Sequence, residues 1–484
     1  MVQSLRPWKT IIQLDFNAVQ AVYLQIAEGI VREIKTGRLK PGAALPGTRL
    51  LADDLQVNRK TVILAYEHLI LEGWLEAVAQ KGTFVPRSLP DFTRPVATGE
   101  PFSFRHPRIT IDSPHPPNTI VFDTGLPDVR LTPVRDLAKA YKRILEQKAR
   151  WRLLGYGFSQ GAPALRQAIA TMLNHQRGMS VGPDELCITR GSQMALYLAA
   201  HSLLGAGDLV LMEMPGYLPT WEALESTGAQ ILPIPVDDKG LVTTELEKHC
   251  QTGRVKAIYV TPHHQFPTTV SMKMERRLHL ISLSNKYGFA ILEDDYDHEY
   301  HFEGKSLMPL ASQQHAMNVI YIGSLSKVIA PAMRIGYIAG PASFIAALTK
   351  MRSIIDMQGD PTMEQAIAEL MDSGAIARHS RKASAVYAQR RQLMEQLLQE
   401  HLGKYISYQK PDGGLGYWVK FHPEIDVMIL TANLRKKGIA VFSPENMYYT
   451  GKAPNALRLG FSSLNEEELK DGIEKIAKTV KALR

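Results

Sequence analysis

Val319-Ile320-Tyr321-Ile322-Gly323-Ser324-Leu325-Ser326-Lys327 runs from a short apolar stretch into a turn that carries two serines and a lysine, and apolar Val328-Ile-Ala-Pro-Ala-Met333 follows. A lysine in such surroundings is partly desolvated. Desolvation penalises the ammonium form, lowers the pKa and makes the amine nucleophilic enough for a Schiff base. Ser324, Ser326 and Arg334 could complete a phosphate cup, Arg334 by its charge. A lone lysine is ordinarily a surface residue with its amine in water, so its neighbours along the chain decide the matter.

Working outward, Leu209-Val-Leu-Met-Glu213, Ala257-Ile-Tyr-Val-Thr261 and Ala290-Ile-Leu-Glu-Asp294 are further short apolar runs separated by amphipathic stretches. The alternation, from Phe122 onward, predicts an α/β body with a mostly parallel sheet, whose ligands lie at the strand carboxyl ends. Glu293-Asp294-Asp295-Tyr296 stands at one such end. In an extended chain Asp294 and Tyr296 point to the same side. There a carboxylate could keep a pyridinium nitrogen protonated and a phenol could bond a ring oxygen. Standing alone, those four residues fit a solvated acidic strand end or a divalent-metal site better. Thr189-Arg190-Gly191-Ser192-Gln193-Met194-Ala195 follows Leu186-Cys-Ile188 and opens a helix, offering free backbone N–H groups and a hydroxyl to a phosphate. Most turns of this kind are merely caps.

Taken together, the motifs resemble the fold-type I aminotransferases, and over the length of the body their MocR/GabR regulatory branch. The matching text is Gly155-Tyr156-Gly157 with Gly161 and Leu165-Arg166, Gly191-Ser192-Gln193, Pro215-Gly216-Tyr217, Thr261-Pro262-x-His264-Gln265-Phe266-Pro267-Thr268, Glu293 to Tyr296, Gly323-Ser324-x-Ser326-Lys327, Arg334-x-Gly336-Tyr337 and Leu457-Arg458-Leu459-Gly460-Phe461. The resemblance implies a fold-type I α/β body with helices on both faces of the sheet and a smaller C-terminal α/β domain. It implies pyridoxal 5'-phosphate as cofactor, with Lys327 forming the Schiff base, Asp294 partnering the pyridine nitrogen and Tyr296 the ring oxygen. Ser192, Gln193, Ser324, Ser326 and Arg334 would hold the phosphate, Tyr217 would lie by the ring, and Arg458 would take an effector carboxylate by a bidentate pair. Two departures stand out. Thr269 occupies a position where a glycine is usual, which predicts a reshaped turn because Thr tolerates positive φ poorly. Pro219 offers no charge where a second effector-binding arginine could stand.

The first 86 residues form a different unit. Val22, Ile26, Ile30, Ile34 and Leu39 give a helix-period apolar stripe closed by Gly37 and Pro41-Gly42. Thr48 to Leu55 and Arg59 to Leu69 then predict two short helices across a tight turn, with Thr48 as the cap of the first. Trp74 to Val78 and Gly82 to Pro86 predict a hairpin. The bland alternative is a small helical domain with a solvated basic end. Charge does not decide between them, since Lys and Arg barely outnumber Asp and Glu here. The ordered text does: Leu45-Pro46, Arg49-Leu-Leu-Ala52, Leu55-x-Val57-x-Arg59-x-Thr61-Val62, Ala65-Tyr66-x-x-Leu69, Glu72-Gly73 and Gly82-Thr83-Phe84-Val85 resemble the GntR winged helix-turn-helix. That likeness implies contacts to double-stranded operator DNA from Arg49, Arg59, Lys60, Thr61 and Gly82 of the wing. Gly47 and Gln80 depart from its usual Ser and Gly.

Eight prolines between Pro86 and Pro117 predict an extended tether. The expected organisation is a DNA-binding domain at 1–86, a Pro-rich linker at 87–118 and a cofactor-binding body at 119–484. The 484 residues, 45% hydrophobic and 21% charged, suit a multi-domain globular chain, and its net charge of +8 permits phosphate contact without proving it. Cys187 and Cys250 alone give no disulfide framework or metal cluster, so a reducing cytoplasm and no metal site are expected. The N-terminus lacks a signal-like apolar block, and no membrane partner is expected. The whole then predicts a homodimeric regulator, whose tether allows a head-to-tail arrangement, controlled by an amine, an amino acid or the cofactor itself. A working aminotransferase with an accessory head, and a DNA-binding scaffold whose body only dimerises, are the alternatives.

Overall fold

A computed structural model describes residues 7–89, 115–146, 151, 153–251, 253–304, 306–451 and 453–483, divided between two compact units, Met1–Arg105 and His106–Arg484. Most of the proline-rich stretch at 87–118 lies outside the described residues.

In the first unit the helix Val22–Lys35 buries Ile26, Ile30 and Ile34 against the helices Thr48–Leu55 and Arg59–Leu71. Each fully buried aliphatic side chain contributes roughly 1.5–3 kcal/mol, and this core holds Leu51, Val62, Leu69 and Val85 without measurable exposure. A short helix, Trp8–Ile11, was not evident from periodicity. It packs through Ile12 onto Gly29, where a Cβ would lie 2.9 Å from Ile12 Cγ1, so only glycine permits the approach. The turn between the paired helices passes through Gln56 in the left-handed region (φ +56°). Strands β1 (Glu76–Val78) and β2 (Gly82–Phe84) pair antiparallel, Glu76 opposite Phe84. The hairpin is extended by Ala43 to Leu45, which bond to Thr83 and Val85. Gln80 takes φ +61° at its tip, the conformation a glycine would adopt more easily.

The second unit begins with β3 (Ile120–Phe122). Then come β4 (Leu186–Thr189), β5 (Leu209–Met214), β6 (Gln230–Asp237), β7 (Gly240–Leu241), β8 (Val255–Val260), β9 (Ala290–Asp295), β10 (Val319–Ser324) and β11 (Gly336–Ala339). These eight form one sheet in the order β4-β11-β10-β9-β8-β5-β6-β7. Its middle, from β10 to β6, is parallel, while β11 runs against both β10 and β4. Parallel strands covered on both faces read as unbroken apolar runs, which is how β5, β8, β9 and β10 appear in the sequence. A smaller layer follows, with β12 (Ile406–Tyr408), β13 (Gly416–Phe421) and β15 (Ala456–Gly460) antiparallel, backed by the helices Ala375–Leu402 and Glu466–Ala482. There β14 (Ile439–Val441) pairs in parallel with β3, so the start of the body belongs to its C-terminal layer. Both cysteines are buried and free. No helix among the described residues is long and apolar enough to cross a membrane.

Candidate functional site

The carboxyl ends of β4, β9 and β10 and the strand β15 bring the body's sequence-selected residues into one neighbourhood. The helix Ser192–Leu203 starts just after β4, with Gly191 as its N-cap at φ +83°. Arg334, itself left-handed at φ +50°, lays its guanidinium against that terminus. A Cβ on Gly191 would lie 2.7 Å from Arg334 Nη2, and the same Nη2 donates to the Arg190 carbonyl at 2.9 Å. Free N–H groups, the Ser192 hydroxyl and a guanidinium therefore share one corner, the donor set an anionic phosphate requires. Across from it, Ser324 ends β10 and its Oγ accepts from the Ser326 N–H at 3.1 Å. Gln193 donates to the Pro219 carbonyl at 2.9 Å, beside Tyr217.

Lys327 is half-buried, and its Nζ donates to the Gly125 carbonyl at 2.8 Å. Burial of the amine lowers its pKa, with Asp123 and Asp297 pulling the other way. Asp294 on β9 accepts one hydrogen bond, from Tyr259 on β8 at 2.8 Å, and burial pushes its carboxyl up to about 7. Tyr296 donates to the His264 carbonyl at 2.9 Å. Tyr217 and Phe266 pack edge to face at 5.2 Å, forming an aromatic wall near Asp294.

Arg458, on β15, has no measurable exposure. Its Nε donates to the Thr124 carbonyl at 2.8 Å, its Nη1 to the Pro267 carbonyl at 2.7 Å, and its guanidinium stands 5.0 Å from the Phe266 ring centre. The turn that supplies Pro267 corrects one expectation. Thr269 does not reshape it: the residue keeps φ +64°, its N–H donates to the Gln265 carbonyl at 2.7 Å and its hydroxyl to the Thr268 carbonyl at 2.6 Å. These bonds offset the roughly 1–2 kcal/mol that a left-handed non-glycine costs.

These residues fit pyridoxal phosphate on an independent observation. Asp294 Oδ1, Ser326 Oγ and Arg458 Nη2 are buried polar atoms without a hydrogen-bond partner. Such orphans are rare and costly. Here they are an acceptor for a ring N–H, a hydroxyl beside the phosphate corner and a donor for a carboxylate.

In the first unit, Arg49, Arg59 and Lys60 are exposed and Thr61 is half-buried. Asn58 caps the second paired helix by accepting the Lys60 N–H at 2.8 Å. A second expectation is corrected here: Gly47, not Thr48, is the N-cap of the first paired helix, without a side-chain bond. Thr48 already has helical geometry, and its hydroxyl accepts instead from Arg59 Nε at 3.3 Å, bracing that arginine. Gly82, at φ +114°, is exposed on the hairpin.

The sequence of this first unit matches the family of bacterial regulatory proteins, gntR family, over residues 22–85, and the second matches aminotransferase class I and II over residues 117–476. The probable rhizopine catabolism regulatory protein MocR of Rhizobium meliloti is 30% identical over 97% of this chain and 96% of its own length. The chain belongs to the MocR/GabR-type regulators. A second such relative, the HTH-type transcriptional regulator TauR of Rhodobacter capsulatus, is 31% identical over 94% of this chain and 95% of its own. The kynurenine aminotransferase of Pyrococcus horikoshii superposes with a TM-score of 0.71 at 29% identity, covering 75% of this chain and 91% of that one. The body of this MocR/GabR-type regulator is thus a fold-type I, pyridoxal-phosphate-type body.

Several residues of the regulator's site were not singled out in its sequence. Tyr259 lies inside an aliphatic strand, and a hydroxyl in such a run needs a buried partner; that was the available signal for the Asp294 bond. Asp123 accepts the Gly125 and Leu126 N–H groups at 2.7 and 2.6 Å, an Asx turn foreshadowed by the Asp-x-Gly spacing. Tyr300 donates to the Lys327 carbonyl at 2.7 Å, and nothing local announced that contact.

Proposed function

We propose that the head reads operator DNA while the body senses an amine, an amino acid or pyridoxal phosphate at Lys327, with domain limits at 1–86, 87–118 and 119–484. The observation that carries this reading is the joining of a winged helix-turn-helix to a pocket whose unpartnered buried atoms suit cofactor and carboxylate. When bound, pyridoxal phosphate supplies an aldehyde that condenses with primary amines and a pyridine ring that draws in electrons. The chain's own residues bind and orient. The Gly191 turn, Ser192, Gln193, Ser324, Ser326 and Arg334 hold the phosphate; ionised Asp294, steadied by Tyr259, keeps a proton on the ring nitrogen. Tyr296 bonds the ring oxygen and Tyr217 packs by the ring. Lys327, its pKa lowered by burial, offers its amine, and Arg458 receives the effector's carboxylate.

Effector binding shifts the population of dimer geometries, and with it DNA affinity. The exposed apolar residues Val134, Leu154, Tyr156 and Phe158, all early in the body's chain, support the dimer. Arg49, Arg59, Lys60, Thr61 and Gly82 form the DNA-facing set, each head addressing one half-site, and the proline-rich stretch would let a head serve its partner's body.

Absorbance of the cofactor-loaded chain, followed through a panel of amines and amino acids beside DNA binding at fixed salt, tests this, with Lys327→Ala as control. A Lys327-dependent band that shifts with one amine and stays, together with altered DNA affinity, is expected. Catalytic turnover is the second reading, favoured by the full complement of aminotransferase-type residues; loss of the band with an amino acid and its return with a keto acid would establish it. Unchanged DNA binding throughout would end the sensing proposal.

A further inference from the structure

Four histidines converge on a second site. His263 and His264 follow β8, and His298 and His301 follow β9. His263 and His264 are 4% and 1% exposed. Ring centres lie 4.4 Å apart for His263 and His264, 4.6 Å for His263 and His298, and 6.3 Å for the nearly parallel His264 and His301. His263 Nδ1, His264 Nε2 and both nitrogens of His301 lack a hydrogen-bond partner. One nitrogen from each of these three residues can be chosen so that all lie within 4.8 Å of one another. Behind them, His264 Nδ1 stands 2.7 Å from Asp297 Oδ1, while Asp297 Oδ2 is buried and unpartnered. A Cβ at position 413 would collide with His264 Nε2, so only glycine fits beside that nitrogen.

Against the expectation of no metal site, we propose that His263, His264 and His301 bind a divalent transition-metal ion, with zinc the natural occupant and Asp297 orienting His264. Buried imidazole nitrogens without partners are unfavourable, and one ion ligated by all three residues would reduce that deficit by taking one nitrogen from each. Zinc–nitrogen bonds of about 2.0–2.1 Å set tetrahedral ligands about 3.4 Å apart, so the rings close in by about an ångström. Ligation needs unprotonated imidazole. A carboxylate on the far nitrogen of a ligating histidine is the usual supporting arrangement. His263, Asp295 and His298 also come within ligand reach of one another. That set is less suitable, because Asp295 Oδ2 already accepts from Tyr321 at 2.7 Å and lies 2.9 Å from His298 Nδ1. A groove of about 650 Å³, lined by His175, His298, His301 and Ser306, gives an ion access. His301 bridges to Gly413, and the adjacent Tyr300 holds the Lys327 carbonyl. The ion would therefore act as a structural lock on the segment that steadies Lys327.

The test uses the untagged full-length protein, stripped with a chelator, with Co²⁺ and Zn²⁺ as probes, in both cofactor-free and cofactor-loaded forms. Expected are one Co²⁺ per chain, intense visible ligand-field absorption, displacement by Zn²⁺ and a raised unfolding temperature. His301→Phe and His263→Ser should each weaken binding at least tenfold, and Asp297→Asn by roughly 10–100-fold. His175→Ala, on the groove wall outside the cluster, should bind as the parent does. Should His263→Ser fail to fold by circular dichroism, His301→Phe, at a half-buried position, carries the test. Absence of stoichiometric Co²⁺ uptake, or parent-like affinity in His301→Phe, would overturn the proposal and leave a packed cluster of neutral imidazoles. Because the readout is metal binding, failure here leaves the sensing proposal standing.

Discussion

Replacing Tyr259 by Phe removes one oxygen and leaves the ring in the strand β8. That oxygen is the donor of the 2.8 Å bond to Asp294 Oδ2, and Asp294 Oδ1 has no partner. Burial already raises the Asp294 carboxyl to about 7, and the Tyr259 bond works against that rise. A hydrogen bond to a charged group contributes about 1.5–3 kcal/mol, so its loss should lift the carboxyl by a further ~1–2 pH units. Only ionised Asp294 can keep a proton on the ring nitrogen. At pH 7 the ionised fraction falls from about one half to about 0.09–0.01, so the variant should bind pyridoxal phosphate roughly 5–50-fold more weakly. In the parent, affinity should improve as pH rises through about 7; in Tyr259→Phe that midpoint should move upward. Absorbance titrations at several pH values measure both quantities, and circular dichroism checks that the core is unchanged. An unaltered dissociation constant together with an unaltered midpoint would show that Asp294 does not anchor the ring.

Gly191→Ala places a Cβ 2.7 Å from Arg334 Nη2 at a backbone φ of +83°. Arg334 must move, and cofactor affinity, read by the same titration, should fall at least tenfold while inorganic phosphate competes less well. Asn58→Ala deletes the cap that accepts the Lys60 N–H and should destabilise the head by about 1 kcal/mol, seen as a lowered denaturant midpoint for that unit and weaker DNA binding. Stability should also depend on pH in a defined direction. Burial raises Glu213, Glu293 and Asp294 to about 7, so below that value the folded chain holds protons that the unfolded chain has released. Stability is then lost as pH rises, by up to about 1.4 kcal/mol per pH unit for each group. The histidines His201, His263, His301 and His379, all lowered by burial, act oppositely but only below their unfolded value near 6.5, which leaves the interval from about 6.5 to about 7 as the window in which the unfolding temperature of the cofactor-free protein should fall. Cofactor loading should flatten that fall, because it ionises Asp294.

What could be read from the sequence depended on how local each determinant was. The strands around Lys327, Asp294 and Tyr259 announced themselves as apolar runs because a parallel sheet covered on both faces leaves no polar alternation to decode. The cup at Gly191 was legible because a helix N-terminus advertises its free N–H groups through small and hydroxyl residues. Arg334 is different. Its charge suggested phosphate, but its left-handed backbone and its packing against Gly191 across the β4–β11 edge arise only once the sheet is assembled. Thr269 shows the converse: intrinsic preference argued for a changed turn, and the bonds to Gln265 and Thr268 overrode it.

The histidine cluster was the least visible feature, for a topological reason. His263-His264 and His298-x-x-His301 belong to successive parallel strands, β8 and β9, so a whole helix, Met274–Tyr287, separates them in the chain. Neighbouring parallel strands end on the same side of the sheet, and residues just beyond their ends meet although no short spacing links them. That same geometry assembles the cofactor site from β4, β9 and β10. The strand ends that gather ligands for pyridoxal phosphate therefore also gather imidazoles three to six residues beyond them, and Tyr300, between His298 and His301 in the chain, ties them to Lys327 through its 2.7 Å bond. If the cluster holds an ion, removing it should loosen Lys327 before it loosens the sheet. The Lys327-dependent cofactor band should then weaken in chelator-treated protein at temperatures where the far-ultraviolet circular dichroism is still unchanged.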